Sequence, residues 1–127
     1  MSTETLSRRS LWGVAAIFVF FGLLSAFAPM VLAPKAGLFP DASGVTDIRA
    51  TYGGMQLGFG LFLAWAARDR ALHAAAWWAC AALVGAVAVL RLFGLAVDGA
   101  PTGFHYGALG FEIPVTLYAV YLYRRSS

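Results

Sequence analysis

Charged residues occupy only a few places along this chain, and the gaps between them have the length of membrane-crossing helices. After a polar opening that ends in Arg8-Arg9, no charge occurs from Leu11 to Ala33. At 1.5 Å per residue, such a run crosses the ~30 Å hydrocarbon layer as one helix. A second apolar run extends from about Ile48 to Ala67, a third from Leu72 to Val97 and a fourth from Phe104 to Tyr123. Residues 34–47 form the first connection, punctuated by Pro34, Gly37, Pro40 and Gly44, with Thr46 or Asp47 expected to cap the second helix. Arg68-Asp69-Arg70 opens a short polar turn that ends at His73. Asp98-Gly99-Ala100-Pro101-Thr102-Gly103 is a turn sequence. Connections this short make successive helices antiparallel neighbours. The pattern predicts an all-α protein with a single domain over residues 1–127, an integral membrane four-helix bundle running up-down-up-down.

Composition agrees with that expectation. Of the 127 residues, 61% are hydrophobic and 12% charged, too little charge to cover a soluble domain of this length. The net charge of +3 comes from arginines at helix ends, not from a basic face interleaved with polar groups, which excludes nucleic acid as a partner. Arg8, Arg9, Arg68, Arg70, Arg124 and Arg125 gather at one end of the predicted bundle, and outside the helices the other end holds only Lys35. The positive-inside rule then places both termini in the cytoplasm. Trp12, Trp65, Trp77 and Trp78 fall at the same end, where indole rings anchor at the interface. The Arg-Arg pair and Ala26-Phe27-Ala28 resemble an export signal with a cleavage site. Pro29 disfavours cleavage there, so the first helix is expected to be retained. Cys80 lies among Ala and Trp as a buried small hydrophobe.

The polar residues inside the helices carry whatever chemistry there is. Counting from the outer ends, Gln56 lies about 10–12 Å deep, Arg91 about 9 Å and Glu112 about 12 Å. Arg49, Tyr52 and Gln56 are spaced i, i+3, i+7 and share a helical face; Arg91 and Asp98 share another, and His105 and Glu112 a third. An unpaired charge facing lipid costs at least ~2.5–3.5 kcal/mol at the membrane centre. The expectation is a buried Arg91–Glu112 ion pair, hydrogen-bonded by Tyr52 and Gln56, below an outer ring of Arg49, Asp98 and His105. Gly53, Gly54 and Gly58 are expected to let another helix approach closely. Pro114 removes a backbone bond to Gly110 and is expected to bend the fourth helix.

Arg49-Ala50-x-Tyr52-Gly53-Gly54-x-x-x-Gly58, Arg91, Asp98-Gly99 and Glu112 together resemble the DUF4345 family of bacterial four-helix membrane proteins. The resemblance covers nearly the whole chain and implies that fold. It marks Arg49, Tyr52, Gly53, Gly54, Arg91, Asp98 and Glu112 as motif positions, and it implies no activity. A looser likeness in layout is to DoxX-like and sterol-isomerase-like bundles.

Three functions compete. In the first, Arg49, Tyr52, Gln56, Arg91, Asp98 and Glu112 line a pocket for a lipophilic small molecule such as a lipid, quinone or isoprenoid, with Glu112 and His105 the candidate acid and base should it be an enzyme. In the second, the ion pair is structural and the protein is an accessory or assembly subunit, docking a membrane-protein partner or a second copy of itself. A proton pathway is the third and is weakest, since no charge occupies the cytoplasmic half. The residues contain no metal-ligand spacing, phosphate loop or nucleophile elbow, and no cofactor is expected.

Overall fold

A computed structural model describes residues 2–126. Among them every regular element is helical and no strand occurs. The first helix, α1 (Thr3–Phe27), begins earlier than the apolar run because Ser2 caps it, its hydroxyl accepting from Thr5 N at 3.2 Å. Arg8 and Arg9 are therefore helical. The helix also stops earlier than Ala33. Pro29 has no N–H to donate and disfavours the helical region for the residue before it, and Ala28 has φ −135°. The rest of the apolar run folds as two 3-10 turns, Pro29–Val31 and Pro34–Ala36, closed by Gly37 at φ 79°.

The second helix also departs from expectation at its start. Asp41, not Thr46 or Asp47, is the cap, and its carboxylate accepts from Gly44 N at 2.8 Å. Helix α2 (Ala42–Ile48) follows, and Thr46 Oγ1 donates back to Ala42 O at 3.2 Å. The backbone passes without leaving the right-handed region into a π-helical segment, Arg49–Gly54, and on into α3 (Met55–Ala66). A 3-10 turn, Arg70–Leu72, precedes α4 (His73–Asp98), and α5 (Gly103–Ser126) completes the chain. Counting α2, the π segment and α3 as one continuous run, the described residues form four helices.

These helices form two compact units, Met1–Arg70 and Ala71–Ser127. In the first, α1 packs antiparallel against the π segment and α3. The approach is backbone to backbone. A Cβ at Gly22 would lie 2.6 Å from Leu57 N, one at Gly53 3.0 Å from Ala26 N, and one at Gly60 2.8 Å from Val19 N. At Gly22 and Gly60 only hydrogen fits, and at Gly53 a methyl would require its neighbour to give by a few tenths of an ångström. Of the glycines expected to pack, Gly53 does. A Cβ at Gly54 or Gly58 would meet nothing within 4 Å among the described residues.

In the second unit α4 packs antiparallel against α5. Gly99, left-handed at φ 68°, ends α4 and donates to Leu95 O at 3.2 Å. Thr116 packs its methyl into the space that Gly85 leaves. Trp77 is buried and stands edge-on to Tyr118 at 5.9 Å, so it is a core residue and not the interfacial anchor expected of it. The α5 helix runs on through Pro114.

Two helical stretches, Thr3–Phe27 and Arg70–Asp98, are long and apolar enough to cross a membrane, with mean hydropathies of 2.1 and 2.3. Large apolar side chains lie open on every long helix: Phe20 at 61% exposure on α1, Leu61 at 58% on α3, Leu90 at 67% on α4 and Leu117 at 66% on α5.

Candidate functional site

The polar centre of the α4–α5 hairpin is a forked ion pair. Arg91 Nε lies 3.0 and 3.2 Å from the two carboxylate oxygens of Glu112, and Nη2 donates to Oε1 at 2.7 Å. Two parallel N–H groups on one carboxylate form the strong, planar arrangement available to arginine and not to lysine. Glu112 is buried and Arg91 is mostly so, their side chains 9% and 22% exposed. Arg91 stands in the third-from-last turn of α4 and Glu112 on the facing turn of α5, which the tight Gly99 reversal brings into register. Thr116 Oγ1 donates to the backbone oxygen of Glu112 at 2.7 Å and so fixes the turn below the carboxylate.

Above this pair, toward the α4–α5 turn, lies a hollow of about 220 Å³ lined by Arg91, Gly94, Leu95, Asp98, Ala100 and His105. Four of the six come from α4 and Ala100 from the turn, so this end of the hairpin is concave. The Arg91 guanidinium carbon is 6.0 Å from the centre of the Phe104 ring, which helps hold the guanidinium in place. Its Nη1 makes no hydrogen bond among the described residues. Asp98 folds back over Gly94, with Oδ2 3.7 Å from where a Cβ of that residue would stand.

His105 has a local task that its sequence context conceals. Thr102 N donates to His105 Nδ1 at 3.1 Å, and the Thr102 hydroxyl lies 3.0 Å from the same nitrogen. Thr102 precedes α5, so the imidazole occupies the place that Glu or Gln takes in a capping box. With Nδ1 accepting from Thr102 N, Nε2 is the ring nitrogen left for other partners.

The residues expected on the second helix belong to the unit Met1–Arg70. Arg49 Nη1 donates to the carbonyl oxygen of Ala26, one of the acceptors that α1 leaves without a helical partner. A guanidinium at that end also suits the negative pole of the helix. Tyr52 is exposed and makes no hydrogen bond among the described residues, and Gln56 Oε1 is buried without one. Arg49–Gly54 is π-helical, yet Gly53, Leu57 and Gly60, spaced i, i+4, i+7, meet α1 together. His73 is a further buried polar group, with Nε2 unpartnered among the described residues, that nothing in its apolar neighbourhood signalled.

Chemically, the hollow offers guanidinium N–H donors, an imidazole N–H and an open carboxylate. Among the described residues no three His, Cys, Asp or Glu side chains converge as metal ligands would. No curated protein and no solved structure matches the chain. A family model described as a domain of unknown function, DUF4345, matches residues 6–123. Nearly the entire chain is thus covered, and the protein belongs to the DUF4345 family.

Proposed function

We propose that this is a multi-pass protein of the bacterial cytoplasmic membrane whose polar hollow holds the headgroup of a lipophilic small molecule, a lipid, quinone or isoprenoid-like compound. In this reading the four helices form one bundle with both termini in the cytoplasm, and the hollow lies in its outer half. Three features support the membrane part. In the two most apolar stretches only 28% and 22% of residues are buried, whereas the core helix of a soluble protein would be mostly buried. Exposed Phe, Leu and Val on all four helices suit acyl chains. The arginines cluster at the end that the positive-inside rule assigns to the cytoplasm.

The observation that carries the binding part is the hollow itself. The concavity is half open and too small to enclose a whole ligand, so it suits a polar headgroup whose apolar chains lie along the exterior. Binding is favoured over catalysis because both acid-base candidates are engaged. Glu112 is held by two guanidinium N–H groups, and the basic nitrogen of His105 is held by Thr102.

Native mass spectrometry of the gently purified protein tests this reading. The expected spectrum carries a stoichiometric lipophile, absent from Gly94→Leu, which fills the hollow while leaving helix content unchanged by circular dichroism. A bare chain would overturn the reading. A second polypeptide in place of the small molecule would support the alternative, an accessory or assembly subunit in which the Arg91–Glu112 pair is structural.

A further inference from the structure

Resting on the binding reading above, we infer that the hollow selects a headgroup carrying both a protonated amine and a hydrogen-bond acceptor, as an aminophospholipid does, and that Asp98 is the residue that recognises the amine.

The charges of the lining lead there. Arg91 would by itself attract an anion, but its charge is matched by Glu112 through Nε and Nη2. His105 is engaged through Nδ1, which accepts from Thr102 N. Asp98 is then the charged group of the lining that no protein group matches among the described residues. A purely anionic headgroup would meet that charge unfavourably, and an uncharged quinone would leave it without a partner.

Placement supports the same assignment. Asp98 makes no ion pair or hydrogen bond among the described residues, and its carboxylate turns back along α4 over Gly94 toward Arg91. It is also the last residue of α4, where no basic residue offsets the negative pole of the helix. An acidic group there is locally unfavourable, and a bound cation relieves it. Arg91 and Asp98 are two turns apart, about 10 Å of rise. Both residues nevertheless line the same hollow, so one headgroup seated in it meets both. Arg91 Nη1 then donates to the ester or phosphate oxygens, and the carboxylate accepts from the ammonium.

The test uses the delipidated full-length protein, offered equimolar phosphatidylethanolamine and phosphatidylglycerol with matched acyl chains and read by native mass spectrometry. The ethanolamine lipid should be retained about tenfold over the glycerol lipid. Asp98→Asn should bring that ratio close to one through loss of the ethanolamine lipid. Asp98 is exposed and bonded to nothing, so the fold does not depend on its charge. Equal retention by the native protein, or undiminished selectivity in Asp98→Asn, would overturn the assignment. If phosphatidylglycerol or a quinone occupies the hollow one-to-one and is displaced by Gly94→Leu, headgroup binding stands and the amine assignment alone fails. If no lipophile is retained at all, both fail.

Discussion

Replacing Glu112 with Gln is expected to destabilise the α4–α5 hairpin by about 3–5 kcal/mol, the cost of leaving one member of a buried ion pair unmatched. The amide keeps the shape and accepts one hydrogen bond, but it removes the charge that balances a guanidinium only 22% exposed. Arg91→Met should cost a comparable amount, because it leaves the Glu112 carboxylate buried alone. Arg91→Met combined with Glu112→Met should recover most of the loss, since two apolar side chains need no partner in this environment. Thermal unfolding in mild detergent, followed by circular dichroism, reads all four proteins. If Glu112→Gln melts with the native protein, the pair does not hold the hairpin together. The double variant also separates two roles of one interaction. A folded hairpin that no longer retains a lipophile assigns the pair to binding as well as to structure.

Gly22→Ala is expected to lower stability by about 1–3 kcal/mol, although alanine is the better helix former. The added methyl would stand 2.6 Å from Leu57 N and 2.9 Å from its Cα, and backbone atoms cannot turn aside as a side-chain tip can. The two helices must separate, with loss of close packing along Gly22, Gly53 and Gly60. Gly58→Ala, four residues along from Gly54 on α3, should instead be neutral or stabilising by up to about 1 kcal/mol, because its Cβ enters open space. Unfolding of the two variants side by side checks the prediction. A destabilised Gly58→Ala with an unaffected Gly22→Ala would place the contact on the wrong face of α3.

That contrast shows what could be read from the residues alone. The helices were legible because apolar length is a one-dimensional property. Arg91 and Glu112 were legible as partners because depth follows from counting along two helices joined by a short turn. Faces were less legible. Gly53 and Gly60 meet α1 whereas Gly54 and Gly58 do not, and small size alone does not tell those two faces apart. The start of α2 was hidden because Pro40 and Gly44 look like loop punctuation. Pro40 in fact stands just before the Asp41 cap, and Gly44 supplies the N–H that the cap binds. The capping role of His105 depends on a contact three residues back and resembles a catalytic histidine until Thr102 N is seen on its ring. Gly22 carried no signal, because a lone glycine in an apolar helix gains meaning only from what packs against it.

The central claim is that the hollow at the α4–α5 turn opens to the outer face of a membrane. The most direct measurement is thiol labelling at Ala100, which lines that hollow. In a chain whose buried Cys80 has been replaced by Ala, Ala100→Cys should react with a membrane-impermeant maleimide in intact cells. Arg68→Cys, at the opposite end, should react only after lysis. Labelling of Ala100→Cys in broken cells alone would reverse the orientation and contradict the account.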